Sequence, residues 1–125
     1  MRSDAFRRAV EAKDLSKLEE LFSPDVVFRS PAVFKPYEGL DALRILLGTV
    51  VEVFEEFRYV DQVETGDVAV LVFHARTGDR ELDGVDILRF GEEGRVTEMM
   101  VMIRPLSALN AVTEEMGRRL GATTG

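Results

Sequence analysis

One acidic residue in the second half of the chain has neighbours that point to chemistry. Asp86 lies in the apolar run G-V-D-I-L-R-F, which spans Gly84–Phe90. Side chains alternate between the two faces of a strand, so Asp86 would share a face with Leu88 and Phe90. A carboxyl group in apolar surroundings loses hydration, which favours its neutral form and raises its pKa. Asp86 is therefore predicted to be a proton donor at neutral pH, and a catalytic role for it is a hypothesis.

A structural role for the same residue is the alternative. Asp86 could be paired with an arginine, and Arg58 and Arg89 are the candidates. In that case the carboxyl group would stay ionised and would serve the fold rather than a reaction. The sequence leaves both interpretations open.

Two turns indicate how the strands around Asp86 pair. The dipeptide Gly78-Asp79 is typical of a two-residue hairpin loop, and it places Leu71 opposite Asp86. A tight closure of the G-E-E-G turn that follows places Met99 opposite Asp86 from the other side. The predicted inner face then comprises Leu71, Phe73, Leu82, Asp86, Leu88, Phe90, Met99, Val101 and Ile103.

The opposite face of the sheet is also partly apolar. It is predicted to carry Val70, Val72, Val85, Ile87, Val96, Met100 and Met102. A large exposed apolar patch is uncommon on a monomer, so a homodimer formed through this face is expected. His74 falls on the same face opposite Asp83, as a surface or interface residue. A register error of one residue would instead bring His74 beside Asp86.

Composition and charge exclude several classes of function. The chain has 125 residues, which suits a single domain over residues 1–125. A net charge of −7 argues against nucleic acid as a partner. The chain has no cysteine and one histidine, so neither a metal site nor a cofactor is expected. The polar N-terminus and the absence of a long apolar run argue against a signal peptide and against a membrane span. A cytoplasmic protein is expected.

Apolar spacing predicts three helices before the main strands and one after them. The first covers Asp4–Lys13, the second follows a cap at Asp14, and the third begins near Gly39. Four strands then form an antiparallel meander, and the last helix follows Pro105. Helices beside such a meander are typical of an α+β domain.

Three stretches resemble the nuclear-transport-factor-2-like superfamily, in its SnoaL-like and ketosteroid-isomerase-like branch. They are D-L-S-K-L-E-E-L-F-S-P-D-V-V-F-R-S-P at Asp14–Pro31, Y-E-G-L-D-A-L-R at Tyr37–Arg44, and G-V-D-I-L-R-F-x-x-x-G-R-V at Gly84–Val96. The resemblance implies a cone, in which three N-terminal helices pack on a curved, mostly antiparallel sheet and a C-terminal helix follows. One end of the cone would be open to small ligands.

The same resemblance implies roles for three positions. In ketosteroid isomerases the acid equivalent to Asp86 stays protonated and donates a hydrogen bond to the substrate oxyanion. These enzymes are a standard example of a catalytic carboxylic acid that is kept neutral. The general base of those enzymes corresponds to Ser30, and serine cannot abstract a carbon-bound proton unaided. Their tyrosine corresponds to Phe6, which has no hydroxyl group. Steroid isomerisation is therefore not expected.

Two functions from different classes follow. The first is binding of a small hydrophobic molecule in the cone, with cofactor-independent acid catalysis by Asp86 (isomerase, cyclase or dehydratase) as the reaction it would support. The second is a non-catalytic homodimeric module whose cavity is filled by its own side chains. The direction of Tyr59 is left open. The residues expected to contact a ligand are Phe6, Ser30, Phe34, Phe54, Tyr59, Phe73, Leu88, Met99, Val101 and Ile103.

Overall fold

One six-stranded sheet and four helices make up the fold. The computed structural model describes residues 1–124. The helices are α1 (Asp4–Glu11), α2 (Leu18–Leu21), α3 (Leu40–Val53) and α4 (Leu106–Thr124). The strands are β1 (Phe22–Arg29), β2 (Tyr37–Glu38), β3 (Glu55–Thr65), β4 (Val68–Thr77), β5 (Arg80–Phe90) and β6 (Val96–Arg104). Within the described residues, no helix is both long and apolar enough to cross a membrane.

The strand order confirms the predicted α+β cone. The sheet runs β2-β1-β6-β5-β4-β3, and every neighbouring pair is antiparallel except β1 and β6. Strands β3 to β6 form the expected meander, and β1 joins its β6 edge. Helices α3 and α4 contact each other and pack against the sheet, so that they cover one of its faces.

The two N-terminal helices are shorter than predicted. The second helix spans only Leu18–Leu21, because the chain extends into β1 already at Phe22. Asp14 makes a local turn, accepting hydrogen bonds from the backbone and hydroxyl of Ser16, and does not cap a helix. Ser3 likewise makes no cap bond to α1, since its hydroxyl donates to Glu64 of β3.

Strand pairing around Asp86 matches the prediction on one side and differs on the other. Leu71 pairs with Asp86 across β4 and β5, as predicted. Across β5 and β6, Asp86 pairs with Val101, and Met99 pairs with Leu88. The predicted pairing of Asp86 with Met99 was therefore wrong by two residues. A shift of two leaves every side chain on its face, so the predicted inner face is still buried or half-buried.

A wider turn and a bulge in β6 together explain this shift. The turn closes on the pair of Phe90 with Val96 instead of Arg95, which moves the register by one residue, and the bulge moves it by one more. Arg89 pairs with Glu98 and Phe90 pairs with Val96, so Thr97 is an extra residue without an opposite partner. A bulge of this kind changes the side on which the following residues fall. Val96 is therefore buried with the inner face, and its assignment to the outer face was wrong.

An absent side chain in β5 makes room for an aromatic ring of the core. Gly84 pairs with Phe73 of β4, and a Cβ atom at Gly84 would come within 2.1 Å of the Phe73 ring. The ring itself is wedged among Phe54, Phe57 and Tyr59, with centroid distances of 5.5, 5.0 and 6.1 Å. Glycine at this position therefore allows the sheet to approach its own aromatic core.

Replacement of Gly84 by alanine should destabilise the protein. Because the Phe73 ring has little room to move, we expect Gly84→Ala to cost roughly 1–3 kcal/mol of unfolding free energy in urea titrations. Gly48 on α3 is the matched control, because nothing lies within 4 Å of its Cβ position. Gly48→Ala should be neutral or stabilising by up to about 1 kcal/mol. Equal stability of Gly84→Ala and the unchanged protein would refute the close packing.

Candidate functional site

A cavity of about 270 Å³ lies between the inner face of the sheet and the helices α3 and α4. Its walls are mainly aliphatic and aromatic. From α3 and α4 they include Leu46, Leu47, Val50, Val51, Val112, Met116 and Leu120, and from the strands Phe28, Phe57, Phe73, Met99 and Val101. Asp86 is a carboxylic acid in this mainly apolar lining, whose other polar side chains are Ser30, Tyr37 and Thr113.

Seven of the predicted site residues meet at this cavity. They are Ser30, Phe54, Phe73, Asp86, Met99, Val101 and Ile103. Most of them come together because β4, β5 and β6 are neighbours in the sheet and side chains that alternate along these strands point to one face. Ser30 directly follows β1, which pairs with β6, and Phe54 directly follows α3. Whether they bind a ligand stays a prediction.

The structure places three other predicted residues elsewhere. Phe6 is buried behind the cavity, where its ring contacts the rings of Phe22 and Tyr59 at 6.0 and 6.4 Å. Phe34 lies in the loop after β1 and is 98% exposed. Leu88 is fully enclosed by core neighbours and does not reach the cavity surface. The expectation that these three line the cavity is therefore corrected, and the same correction applies to Tyr59, which is buried beside Asp86 but does not line the cavity.

The partner of Asp86 is a tyrosine, not an arginine. Asp86 is only 4% exposed, and the hydroxyl of Tyr59 donates a hydrogen bond of 2.6 Å to its Oδ2 atom. Arg89 points to the outer face, where it contacts Glu98, and Arg58 is exposed. The ion-pair alternative is thus replaced by a neutral hydrogen bond inside the core.

Burial controls the protonation of this acid. Loss of water around the carboxyl group raises the pKa of Asp86 from 3.8 to about 7, and the hydrogen bond from Tyr59 lowers it in part. Burial, followed by the nearby Asp86 charge, raises the pKa of Tyr59 well above its usual value of 10. Tyr59 therefore keeps its proton at neutral pH, while Asp86 changes charge in the physiological range.

Ser30 faces the same cavity as Asp86 from two strands away. Phe28 and Arg29 of β1 pair with Met99 and Met100 of β6, so the next position, Ser30, adjoins Val101, the partner of Asp86. The Ser30 hydroxyl oxygen accepts hydrogen bonds from the backbone N–H groups of Ala32 and Val33, at 3.0 and 3.1 Å. These bonds shape the loop at the cavity mouth.

Sequence reasoning missed two contributions to the site. The inward direction of Tyr59 depends on an irregularity in β3, since Tyr59 pairs with Phe73 but the next pair joins Asp61 to Val72. Nothing in the residue pattern of β3 predicts this irregularity. The wall formed by α4 could have been found, because Val112, Met116 and Leu120 recur at helical spacing.

His74 lies outside this site. It pairs with Asp83 on the outer face of the sheet, as predicted, and its two ring nitrogens contact carboxylates of Asp83 and Glu81 at 3.0 Å. These contacts raise the pKa of His74 above 6.5. Among the described residues, no cluster of three or more histidine, cysteine, aspartate or glutamate side chains could hold a metal ion.

Comparison with known proteins identifies the family. The SnoaL-like domain family matches residues 4–99. The chain belongs to that family. No curated protein sequence matches this SnoaL-like domain.

Solved structures agree with this assignment. A steroid delta-isomerase from Pseudomonas aeruginosa is 44% identical, with a TM-score of 0.94 over 98% of this chain and 91% of that one. An uncharacterised cystatin-like-fold protein from Silicibacter pomeroyi is 31% identical, with a TM-score of 0.87 over 91% and 81% of the two chains. A SnoaL-like polyketide cyclase from Jannaschia, so named provisionally, is 14% identical with a TM-score of 0.71 over 89% and 86%, which shows a shared fold.

The raised pKa of Asp86 predicts how stability depends on pH. Between the ordinary pKa of 3.8, taken for the unfolded chain, and the folded value of about 7, the folded protein binds more protons than the unfolded chain. Stability therefore falls as the pH rises through this window and levels off above it. Asp86→Asn removes this loss, so the variant should exceed the unchanged protein by on the order of 3 kcal/mol at about pH 8, and by much less near pH 4.

Urea unfolding at several pH values measures this difference. Asp61→Asn is the matched control, because Asp61 lies on β3 and is exposed. We expect that variant to change stability by less than about 0.5 kcal/mol at any pH. A constant difference between Asp86→Asn and the unchanged protein across the window would contradict the buried, titrating acid.

Proposed function

We propose that this SnoaL-like domain binds a small, mainly apolar molecule and holds one oxygen atom of it through Asp86. The observation that carries this proposal is a nearly buried carboxylic acid in the wall of an apolar cavity. Ligand sites in proteins combine such apolar walls with a few polar groups that fix orientation. The volume of about 270 Å³ is near the lower end of such sites, roughly 300 to 1,000 Å³, which favours a compact ligand.

The protonation state of Asp86 decides which oxygen it recognises. Below about pH 7 the neutral acid donates a hydrogen bond, which suits a carbonyl oxygen. Above that pH the carboxylate only accepts, so a carbonyl oxygen meets a negative charge. The ligand favoured near neutral pH is therefore a hydrophobic carbonyl compound.

The same arrangement limits the reaction that the site could support. A neutral acid can polarise a carbonyl group, but abstraction of a carbon-bound proton also needs a base. Ser30 faces the cavity two strands away, and its hydroxyl oxygen is occupied by backbone N–H groups. We propose ligand binding as the main function, with cofactor-independent acid catalysis by Asp86 as the chemistry open to it.

Two observations favour this function over a self-filled module. Two of the aromatic side chains that could have filled the cone pack elsewhere, since Phe6 lies behind the cavity and Phe34 lies outside it. Phe54 and Phe73 form part of its walls and leave a space of about 270 Å³. The similarity to a steroid delta-isomerase at 44% identity also supports an apolar carbonyl ligand. The missing base argues against isomerisation of such a ligand here.

Binding of 1-indanone, a compact aromatic ketone, tests this proposal. Its affinity for the unchanged protein, measured by NMR titration, should fall as the pH rises from about 5 to 9, because Asp86 loses the proton it donates. Asp86→Asn, whose amide still donates, should bind the ketone without this pH dependence. Asp86→Leu should weaken binding about three- to tenfold at low pH. Equal affinity for the ketone in all three proteins would show that Asp86 takes no part in binding it.

Self-association through the outer face of the sheet is a second proposal. Val70, Val72, Val85, Ile87 and Met100 are half-buried there, and Met102 is 47% exposed. We propose that this apolar face binds a second copy of the chain, since adjacent apolar side chains on a sheet favour such contacts.

Sedimentation velocity tests the homodimer. The unchanged protein should sediment as a dimer, and Met102→Glu should shift it towards the monomer because burial of a new charge at the interface is costly. Ile45 on α3 is 59% exposed and lies away from the sheet, so Ile45→Glu is the matched control and should remain dimeric. A monomeric unchanged protein would rule out this interface.

A further inference from the structure

Two irregularities in β3 direct a tyrosine into the core beside the acid. The pairing of β3 with β4 shifts between Glu55 and Arg58, and again between Tyr59 and Asp61. Bulges of this kind redirect side chains and are common next to functional sites. Here they flank the short stretch of β3 that places the Tyr59 hydroxyl within hydrogen-bond distance of Asp86.

The Tyr59 ring is held from several sides. The Phe57 ring meets it edge-on at 4.9 Å, and the Phe73 ring does so at 6.1 Å. The Arg7 guanidinium of α1 lies 5.8 Å from the Tyr59 ring centroid and donates to the Tyr59 backbone carbonyl at 3.3 Å. A ring restrained in this way can act as a fixed hydrogen-bond donor.

Only one carboxyl oxygen of Asp86 is used by the fold. Oδ2 accepts the hydrogen bond from Tyr59, whereas Oδ1 has no hydrogen-bond partner within residues 1–124 and is not sealed from the cavity. Asp86 lines the cavity, but Tyr59 does not. The two oxygens are therefore unequal, and Oδ1 is the one available to a ligand.

We propose that Tyr59 is the positioning residue of this site: its hydroxyl fixes the Asp86 carboxyl group so that Oδ1 carries the acidic proton and offers it to the ligand. This inference rests on the proposed function, and it adds a residue that acts through Asp86 without touching the ligand. Because Oδ2 already accepts a hydrogen bond, the proton of the neutral acid belongs on Oδ1. The site then presents a donor in one defined direction, which selects a carbonyl oxygen.

Few charged groups surround this pair. Arg7 and Glu11 of α1 lie near Tyr59 and act on it electrostatically. The strand partners of Asp86 are Leu71 of β4 and Val101 of β6, which carry no charge. The Tyr59 hydrogen bond is therefore the main polar influence on Asp86, and its removal should have a measurable effect on the acid.

Tyr59→Phe tests the positioning role, because it removes the hydroxyl group and keeps the ring. The titration of Asp86 is followed by NMR on protein labelled with ¹³C at the aspartate carboxyl groups, and its signal is assigned by its loss in Asp86→Asn. Tyr59 lowers the pKa of Asp86, so we expect the midpoint in Tyr59→Phe to move upwards. Affinity for 1-indanone at about pH 5, where Asp86 is neutral in both proteins, should fall about three- to tenfold because the acid is no longer oriented.

Tyr37→Phe is the matched control, since Tyr37 lines the cavity but makes no hydrogen bond to Asp86. That variant should leave the Asp86 midpoint unchanged. Circular dichroism verifies that each variant is folded, and Tyr59→Leu offers a second removal of the hydroxyl group if Tyr59→Phe does not fold. An unmoved midpoint in a folded variant would overturn the positioning role.

The two proposals fail in different ways. If 1-indanone binds no variant at any pH while the midpoint moves in Tyr59→Phe, the hydrogen bond orients Asp86 but the proposed ligand class is wrong. If binding follows Asp86 while Tyr59→Phe changes neither the midpoint nor the affinity, the proposed function holds and Tyr59 is excluded as the positioning residue.

Discussion

Burial of one carboxylic acid opposite a single phenolic hydroxyl is the constraint on which the site depends. An ionised carboxylate in an apolar core costs several kcal/mol unless it is paired with a positive charge. The fold supplies Tyr59 at 2.6 Å and no arginine, so neutralisation by a proton is the less costly state up to about pH 7. A group that destabilises the folded protein at alkaline pH is thus kept where it can act as a donor. Such a conflict between stability and local chemistry is typical of functional sites.

The rest of the architecture creates the surroundings of this acid. Gly84 lets the Phe73 ring lie against the sheet, and the bulge at Thr97 sets which β6 residues face inwards. Helices α3 and α4 then close an apolar wall around the remaining space. Together these features exclude the water that would otherwise hydrate the Asp86 carboxylate and lower its pKa.

Much of this arrangement could be predicted because it follows from periodicity. Strand alternation placed Asp86 among apolar residues, and the hairpin at Gly78 fixed its pairing with Leu71 correctly. The pairing of Asp86 with Met99 was wrong by two residues, but this left the predicted faces unchanged except at Val96, since side chains repeat every second residue. The outward position of His74 followed from the same alternation.

What failed to follow from the sequence depends on packing and on irregular backbone. The bulges that turn Tyr59 inwards leave no mark in the amino-acid pattern, so the true partner of Asp86 was missed. Phe6, which corresponds to the tyrosine of ketosteroid isomerases, and Phe34 were expected in the cavity, but the first is packed behind it and the second is exposed. Hydrophobicity indicates that a side chain belongs near a core, but not which side of the core it will face.

Isotope-edited infrared spectroscopy of the Asp86 carboxyl group near pH 6 tests the central claim most directly. The difference spectrum between the unchanged protein and Asp86→Asn isolates this one group. We predict the C=O band of a protonated carboxylic acid, lowered in frequency by the hydrogen bond that Oδ2 accepts from Tyr59. The band of an ionised carboxylate at that pH would contradict the account.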